Sequence, residues 1–285
     1  MSIKTDKRDE RLEALHASLA EGVLELTSSA KWQAWLDFSA GFHTYSFNNQ
    51  ILIWLQCPTA TMVTGYRKWE AKGRQVRKGE KSIGIYAPMI RKKTDEVTGK
   101  ERSYVAGFRI ASVFDVSQTD GDALPEDVTN TTLLEGDAPA AMWEALVGVA
   151  TANKYRVERG ECHGANGFTR PSDRLIMVRE DVSDAQAFKT LVHEVAHMLL
   201  HCEDADLTRD AMAHRDVAEV EAESVAYIVA KSLGLETSPY SLPYVAAWGG
   251  KDAQEKITAT GQRVVKTART ILDAATAAHE ALAVA

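Results

Sequence analysis

The stretch that most restricts what this chain can become is Lys189 to Cys202, which reads KTLVHEVAHMLLHC. On a helix, His193 and His197 stand four residues apart and project from one face. Two imidazoles so placed can share a single Zn²⁺, and Glu194 beside the first can then act as general base on a water acidified by the metal. The pattern has this meaning only if the segment is helical. Phe188, Leu191, Val192, Val195, Met198 and Leu199 supply apolar cover on the other sides, and Ser183 or Asp184 is the expected N-cap. Upstream, Ala140 to Ala152 reads as a helix and Tyr155 to Glu158 as a short strand. Gly164 to Thr169 and Leu175 to Arg179 read as paired strands turning at Pro171-Ser172-Asp173.

A catalytic zinc needs a third protein ligand and an open fourth position. The helix expected over His214 to Leu235 offers Glu219, Glu221 and Glu223. Glu219 and Glu223 share a face, while Glu221 lies about 200° round from Glu219, beside Val217, Val225 and Ile228. Ala222, Ala226 and Ala230 make the Glu219 side slim enough to approach Ala196, so Glu219 is the third-ligand candidate. Glu223 is placed to accept a hydrogen bond from a ligating imidazole and so fix its tautomer. His201 extends the histidine row by one turn, but where a three-histidine pattern needs glycine and histidine this chain has Leu200 and Glu203. His201 is therefore expected at the helix end beside Glu203 and Asp204. His214 or Tyr227 is a candidate oxyanion stabiliser.

His193, Glu194 and His197, followed by Glu219-Val220-Glu221-Ala222-Glu223, resemble the gluzincin pattern, and more narrowly the metallopeptidase domains of ArdC-like and ImmA/IrrE-like proteins. The likeness spans about Gly164 to Leu235. It implies one Zn²⁺ per chain and amide hydrolysis of a peptide or protein. Many relatives of the second kind have Asn or Asp where this chain has Glu223.

The first half has a different character. Leu12, Leu15, Leu19, Val23 and Leu26 mark a helix, Ser28 or Ser29 opens a second that carries Trp32, Trp35, Leu36 and Phe38, and a third runs from near Ser46 to Cys57. From Met62 to Arg109 there are 13 Lys or Arg against 5 Asp or Glu, in a chain whose net charge is -7. Within this block a short helix opens at Gly65-Tyr66, and a basic loop covers Gly73 to Lys81. Strands are expected at Ser82 to Pro88 and Ser103 to Val116, joined by a charged hairpin tip, Arg91 to Arg102. Cations beside aromatic faces suit single-stranded nucleic acid, whose phosphates attract Lys and Arg and whose unstacked bases need π-surfaces. Tyr66, Arg67, Lys68, Trp69, Lys72, Arg74, Arg77, Lys78 and Lys81 are the contacts this argument selects, with Tyr86, Tyr104 and Phe108 as further aromatic surfaces.

Tyr45-Ser46-Phe47-Asn48-Asn49-Gln50-Ile51-Leu52, then ATMVTGYRKWEAKGRQVRKGEK from Ala60 to Lys81 and Ile83 to Pro88, resemble the N-terminal domain of the ArdC antirestriction family over roughly Arg8 to Val116. The resemblance implies single-stranded DNA binding by a protein of mobile elements that accompanies incoming DNA. The individual contacts rest on charge and aromaticity alone.

The expected fold is α+β in two domains. Residues 1-119 would form an N-terminal helix-plus-antiparallel-sheet domain binding single-stranded DNA, and 140-285 a C-terminal zincin-like (gluzincin) metallopeptidase domain. Residues 120-139, rich in Gly, Pro, Thr and acids, would be the linker. Pro239 to Trp248 and Lys251 to Ala285 read as closing helices. Cys57, Cys162 and Cys202 show no pairing logic, and the N-terminus lacks a secretory core, so a cytoplasmic location and no membrane partner are expected. Two alternatives remain open: a DNA-binding protein whose metal site is structural or vestigial, and a regulatory protease that cleaves a repressor.

Overall fold

The computed structural model describes residues 3–94, 101–124, 138–202, 211–235 and 252–284. The helices are α1 (Ile3–Glu25), α2 (Ser29–Gly41), α3 (Phe47–Gln56), α4 (Tyr66–Ala71), α5 (Ala138–Ala152), α6 (Asp184–His201), α7 (Ala211–Ser232) and α8 (Ala253–Val284). The strands are β1 (Val63–Thr64), β2 (Arg74–Val76), β3 (Ile83–Thr94), β4 (Glu101–Asp115), β5 (Thr119–Gly121), β6 (Arg156–Gly160), β7 (Gly167–Arg170) and β8 (Leu175–Arg179). They form two compact units, Met1–Val23 with Asn48–Thr129, and Leu24–Phe47 with Asn130–Ala285.

The first unit is built on the antiparallel β3–β4 pair, with β1 on the other side of β4 and β2 paired to β5. An edge strand exposes unpaired N–H and C=O groups that need cover. Two amides two turns apart on one face of α3 provide it here. Asn49 Nδ2 donates to Tyr86 O and Asn49 Oδ1 accepts from Tyr86 N, both at 2.9 Å. Gln56 does the same for Gly84, again at 2.9 Å in each direction. Buried Asp115 ties the far end of β4, accepting from the backbone N–H of Thr61 at 2.9 Å, Met62 at 3.1 Å and Ser117 at 2.9 Å.

Two expectations change here. The segment 91–102 is not a charged tip, because ladder pairing continues through Thr94↔Glu101 and leaves only 95–100, outside the described residues. The expected linker also begins inside the fold: Asp120 and Gly121 belong to β5, pairing with Gln75 and Arg74.

The second unit has a three-stranded sheet in the order β6-β8-β7, with β6 parallel and β7 antiparallel to the central β8. The paired strands expected around Pro171-Ser172-Asp173 are β7 and β8, with Phe168 opposite Met177. Helices α5 and α6 pack on that sheet, and α7 and α8 pack on those helices and on each other. Residues 24–47, which chain order would place with 1-119, group with this unit. The cause is apolar surface on α2: Trp32 and Trp35 are fully buried, and Trp32 Nε1 donates to Ser224 Oγ of α7 at 2.9 Å. Ser232 Oγ donates to Ala40 O at 2.8 Å in the same seam. The helix expected at Pro239 to Trp248 lies outside the described residues.

Candidate metal centre and nucleic-acid surface

Helix α6 starts where Ser183, rather than Asp184, caps it, its side chain accepting from Gln186 N at 3.3 Å. Its apolar sides are buried as the spacing requires, and Ala196 packs without exposed surface next to a helix carrying buried Ala222, Ala226 and Ala230. That close approach brings His193, His197 and Glu219 together with one ligand atom each within 4.8 Å of the others. His193 Nε2 lies 3.0 Å from His197 Nε2, and Glu219 Oε2 is 3.6 Å from both. Tetrahedral zinc with bonds of about 2.0–2.1 Å sets its donors about 3.3–3.4 Å apart. The three separations bracket that value, so the donor set fits such an ion.

Glu223 Oε2 lies 3.1 Å from His193 Nδ1. A proton on Nδ1 donated to Glu223 leaves the Nε2 lone pair facing Glu219 and His197. Burial works against a charged His193, but Glu219 and Glu223 outweigh it and lift its pKa from 6.5 to about 9. Glu219 is held well below the usual carboxylate range by its hydrogen bonds to His193 and His197. A cationic group raised in this way stabilises the folded chain most below about pH 6.5 and loses that contribution as pH rises through about 9. A cation binding between the ligands must displace that proton. Metal titration at pH 7.5 should therefore release about one proton per ion, and apparent affinity should rise toward pH 9. Calorimetry in two buffers of different ionisation enthalpy measures this, and equal heats would contradict it.

Glu194 is buried, with 6% of its surface exposed, and burial raises its pKa. The Thr169 hydroxyl on β7 lies 2.8 Å from Glu194 Oε2 and 3.0 Å from Glu194 O, so it holds the carboxylate against the strand. Gly167 permits this approach: a Cβ there would come within 2.6 Å of Thr190 Cγ2 and 2.8 Å of Met177 O. Sequence reasoning missed Thr169, because nothing in strand periodicity says which hydroxyl meets which helix.

The ligands open onto a cleft of about 890 Å³, bordered also by Phe168, His201, Arg215 and Arg263. Glu221 is not one of the three grouped ligands, but it borders the same cleft, where it is buried and paired with Arg263 of α8, whose Nε lies 2.9 Å from Glu221 Oε1. A buried carboxylate of this kind requires a cationic partner, and Arg263 was the second residue missed. Glu203 and Asp204, the acids expected beside His201, lie outside the described residues. His201 Nε2 stands 3.7 Å from Glu221 Oε2. That contact is not an ion pair. Burial first, then His197 and Arg263, push the imidazole down to about 4, so it is neutral near pH 7. Tyr227 is not placed at the cleft; its hydroxyl donates to Asp37 Oδ1 at 2.6 Å. The His214 side chain lies outside the described residues.

The candidate DNA contacts in the first unit divide sharply. Trp69 is fully buried, its Nε1 donating to Phe114 O at 2.9 Å, so it is core and offers no ring to a base. Arg74 is occupied with β5, donating to Thr119 Oγ1 at 2.8 Å and Thr119 O at 3.0 Å. Arg77 is bound to Glu80 at 2.8 Å and Asp120 at 3.3 Å. Trp69 is a correction, since its ring is in the core; Arg74 and Arg77 have partners from β5 and the strand ends that a charge count cannot see, and Arg77 stays exposed. Tyr66, Arg67, Lys68, Lys72, Lys78 and Lys81 are exposed. Tyr86 is half-buried against His16, its hydroxyl 2.9 Å from His16 Nδ1, whereas Tyr104 and Phe108 are exposed.

Fold and site together define an α+β protein with a two-histidine, one-glutamate candidate metal centre on paired helices. Residues 5–114 match the family described as the N-terminal domain of anti-restriction factor ArdC. A metal-free crystal structure of the antirestriction ArdC protein from plasmid R388 shares the fold, at 24% identity and a TM-score of 0.52, over 81% of this chain and 85% of that one. Among curated proteins, an uncharacterised Bacillus anthracis protein is 27% identical over 77% of this chain; the chain spans 44% of that relative's length. No helix among the described residues is long and apolar enough to cross a membrane.

Proposed function

We propose that the chain is an antirestriction-type protein joining a single-stranded DNA-binding unit to a zinc-dependent, gluzincin-type metallopeptidase unit. The carrying observation is the convergence of His193, His197 and Glu219 at tetrahedral spacing beside a buried, hydroxyl-held Glu194. A purely structural zinc site is closed by four protein ligands. Among the described residues only these three form a metal-holding group, and they face a cleft large enough for a peptide segment. The match of residues 5–114 to the ArdC N-terminal domain supports the DNA-binding half.

His193, His197 and Glu219 would hold the ion, which supplies Lewis acidity toward a water and a peptide carbonyl. Glu194 takes a proton from the attacking water and delivers it to the departing amine. Thr169 keeps the Glu194 carboxylate in one orientation through both transfers, and burial of Glu194 strengthens it as a base. Glu223 keeps His193 in the tautomer that presents Nε2.

The test is hydrolysis of unfolded protein substrates by the zinc-loaded full chain. Cleavage should stop when a chelator strips the metal and return on adding about one equivalent of zinc. Cleavage that persists through chelation would refute the metallopeptidase reading.

A further inference from the structure

Beyond the irregularity between Pro88 and Ile90, β3 and β4 continue as a two-stranded ribbon with Ile90↔Val105, Arg91↔Tyr104, Lys92↔Ser103, Lys93↔Arg102 and Thr94↔Glu101 as partners. Directly opposed residues share a face and successive residues alternate between faces. One face therefore carries Ile90, Val105, Lys92 and Glu101; the other carries Arg91, Tyr104, Lys93 and Arg102. Charge is sorted by this alternation. Lys92 and Glu101 pair at 2.9 Å on the first face. The second has three cations around one aromatic ring, no acid, and no ion pair for any of the three among the described residues. All four residues are exposed, Tyr104 by 48%.

Like charges clustered on one strand pair repel, and no described residue of the ribbon pairs with these three to offset it. An external polyanion does. A tyrosine ring at the centre of the cluster selects further: phosphates need only the cations, whereas an unstacked base offers a π-face that duplex DNA hides. We infer that this face of the ribbon, Tyr104 with Arg91, Lys93 and Arg102, grips single-stranded DNA by stacking one base and neutralising its neighbouring phosphates. The inference rests on the DNA-binding reading of the first unit and moves the centre of that interface away from the α4–β2 block.

The test is fluorescence anisotropy of the full chain with a labelled thymidine oligomer over a salt series. Four proteins are compared: the natural chain, Tyr104→Ala, the triple variant Arg91→Ala/Lys93→Ala/Arg102→Ala, and Lys92→Ala as a control on the opposite face. All substituted side chains are exposed, and circular dichroism checks that each variant is folded. Tyr104→Ala should weaken binding roughly tenfold or more. The triple variant should lower the steepness of the log–log salt dependence by about 2, from about 0.7 per lost phosphate contact. Lys92→Ala should stay within about twofold. If the natural chain binds but both face variants bind equally well, the ribbon assignment fails and the DNA reading stands. If the natural chain shows no salt-dependent affinity, both fail. Equal affinity for duplex with no effect of Tyr104→Ala overturns the stacking, and variants that lose self-association instead of DNA affinity assign the face to a second copy of the chain.

Discussion

Glu194→Gln should keep the metal and lose the chemistry, with turnover falling by about 10²–10⁴-fold on any peptide the natural chain cuts. The substitution preserves shape at a site with 6% exposure, and the Thr169 hydroxyl can still donate to the amide oxygen, so packing is conserved. It leaves His193, His197 and Glu219 untouched. What it removes is the buried carboxylate that Thr169 holds beside the ligands without its being one of them. A loss of that size is about 3–5 kcal/mol in transition-state stabilisation. Steady-state kinetics paired with zinc content on the same preparations checks it. Full turnover in the variant would remove Glu194 as general base, and loss of its metal would show that the carboxylate is a ligand after all.

How much of the site was legible depends on which contacts helix arithmetic can reach. His193 and His197 follow from a four-residue step, and Glu219 and Glu223 from another, because residues on one helix face are placed by 3.6-residue periodicity alone. The small residues Ala196, Ala222 and Ala226 even announced which faces would meet, and all three are buried. Thr169 and Arg263 escaped because they reach the site from β7 and α8, and no periodicity reports a contact between separate elements. His201 shows the same limit. Its neighbours in sequence suggested acids at the helix end, but the group it faces, Glu221, is on α7.

In the first unit the elements were readable and their pairing was not. Helices α1 to α4 fall where apolar spacing and caps put them, but the ladder of β3 and β4 runs farther than the hydrophobic pattern because their outer halves pair through charged and aromatic residues. Composition registered a surplus of cations without their directions. Arg74 and Arg77 have partners on β5 and at Glu80, and Trp69 is in the core, so the charge and aromatic count said nothing of how these three side chains are engaged. The grouping of α2 was hidden for a related reason: it follows α1 in sequence, yet its two tryptophans are buried in the second unit beside α7.

The central claim is that one divalent ion sits between α6 and α7 on two imidazoles and a carboxylate. Replacing both imidazoles, His193→Ala with His197→Ala, leaves Glu219 alone of the three donors, and a single exposed carboxylate cannot hold a zinc ion at micromolar concentration. Free ligand at about a hundred times its dissociation constant adds about 2.7 kcal/mol to folded-state stability, which for a chain of this size corresponds to a shift of roughly 4–5 °C in Tm. That shift should vanish in the double variant. The decisive measurement is zinc content by atomic emission on the natural chain and the double variant, purified alike and dialysed against micromolar zinc. The account predicts about one ion per chain in the first and close to none in the second; equal zinc in both would contradict it.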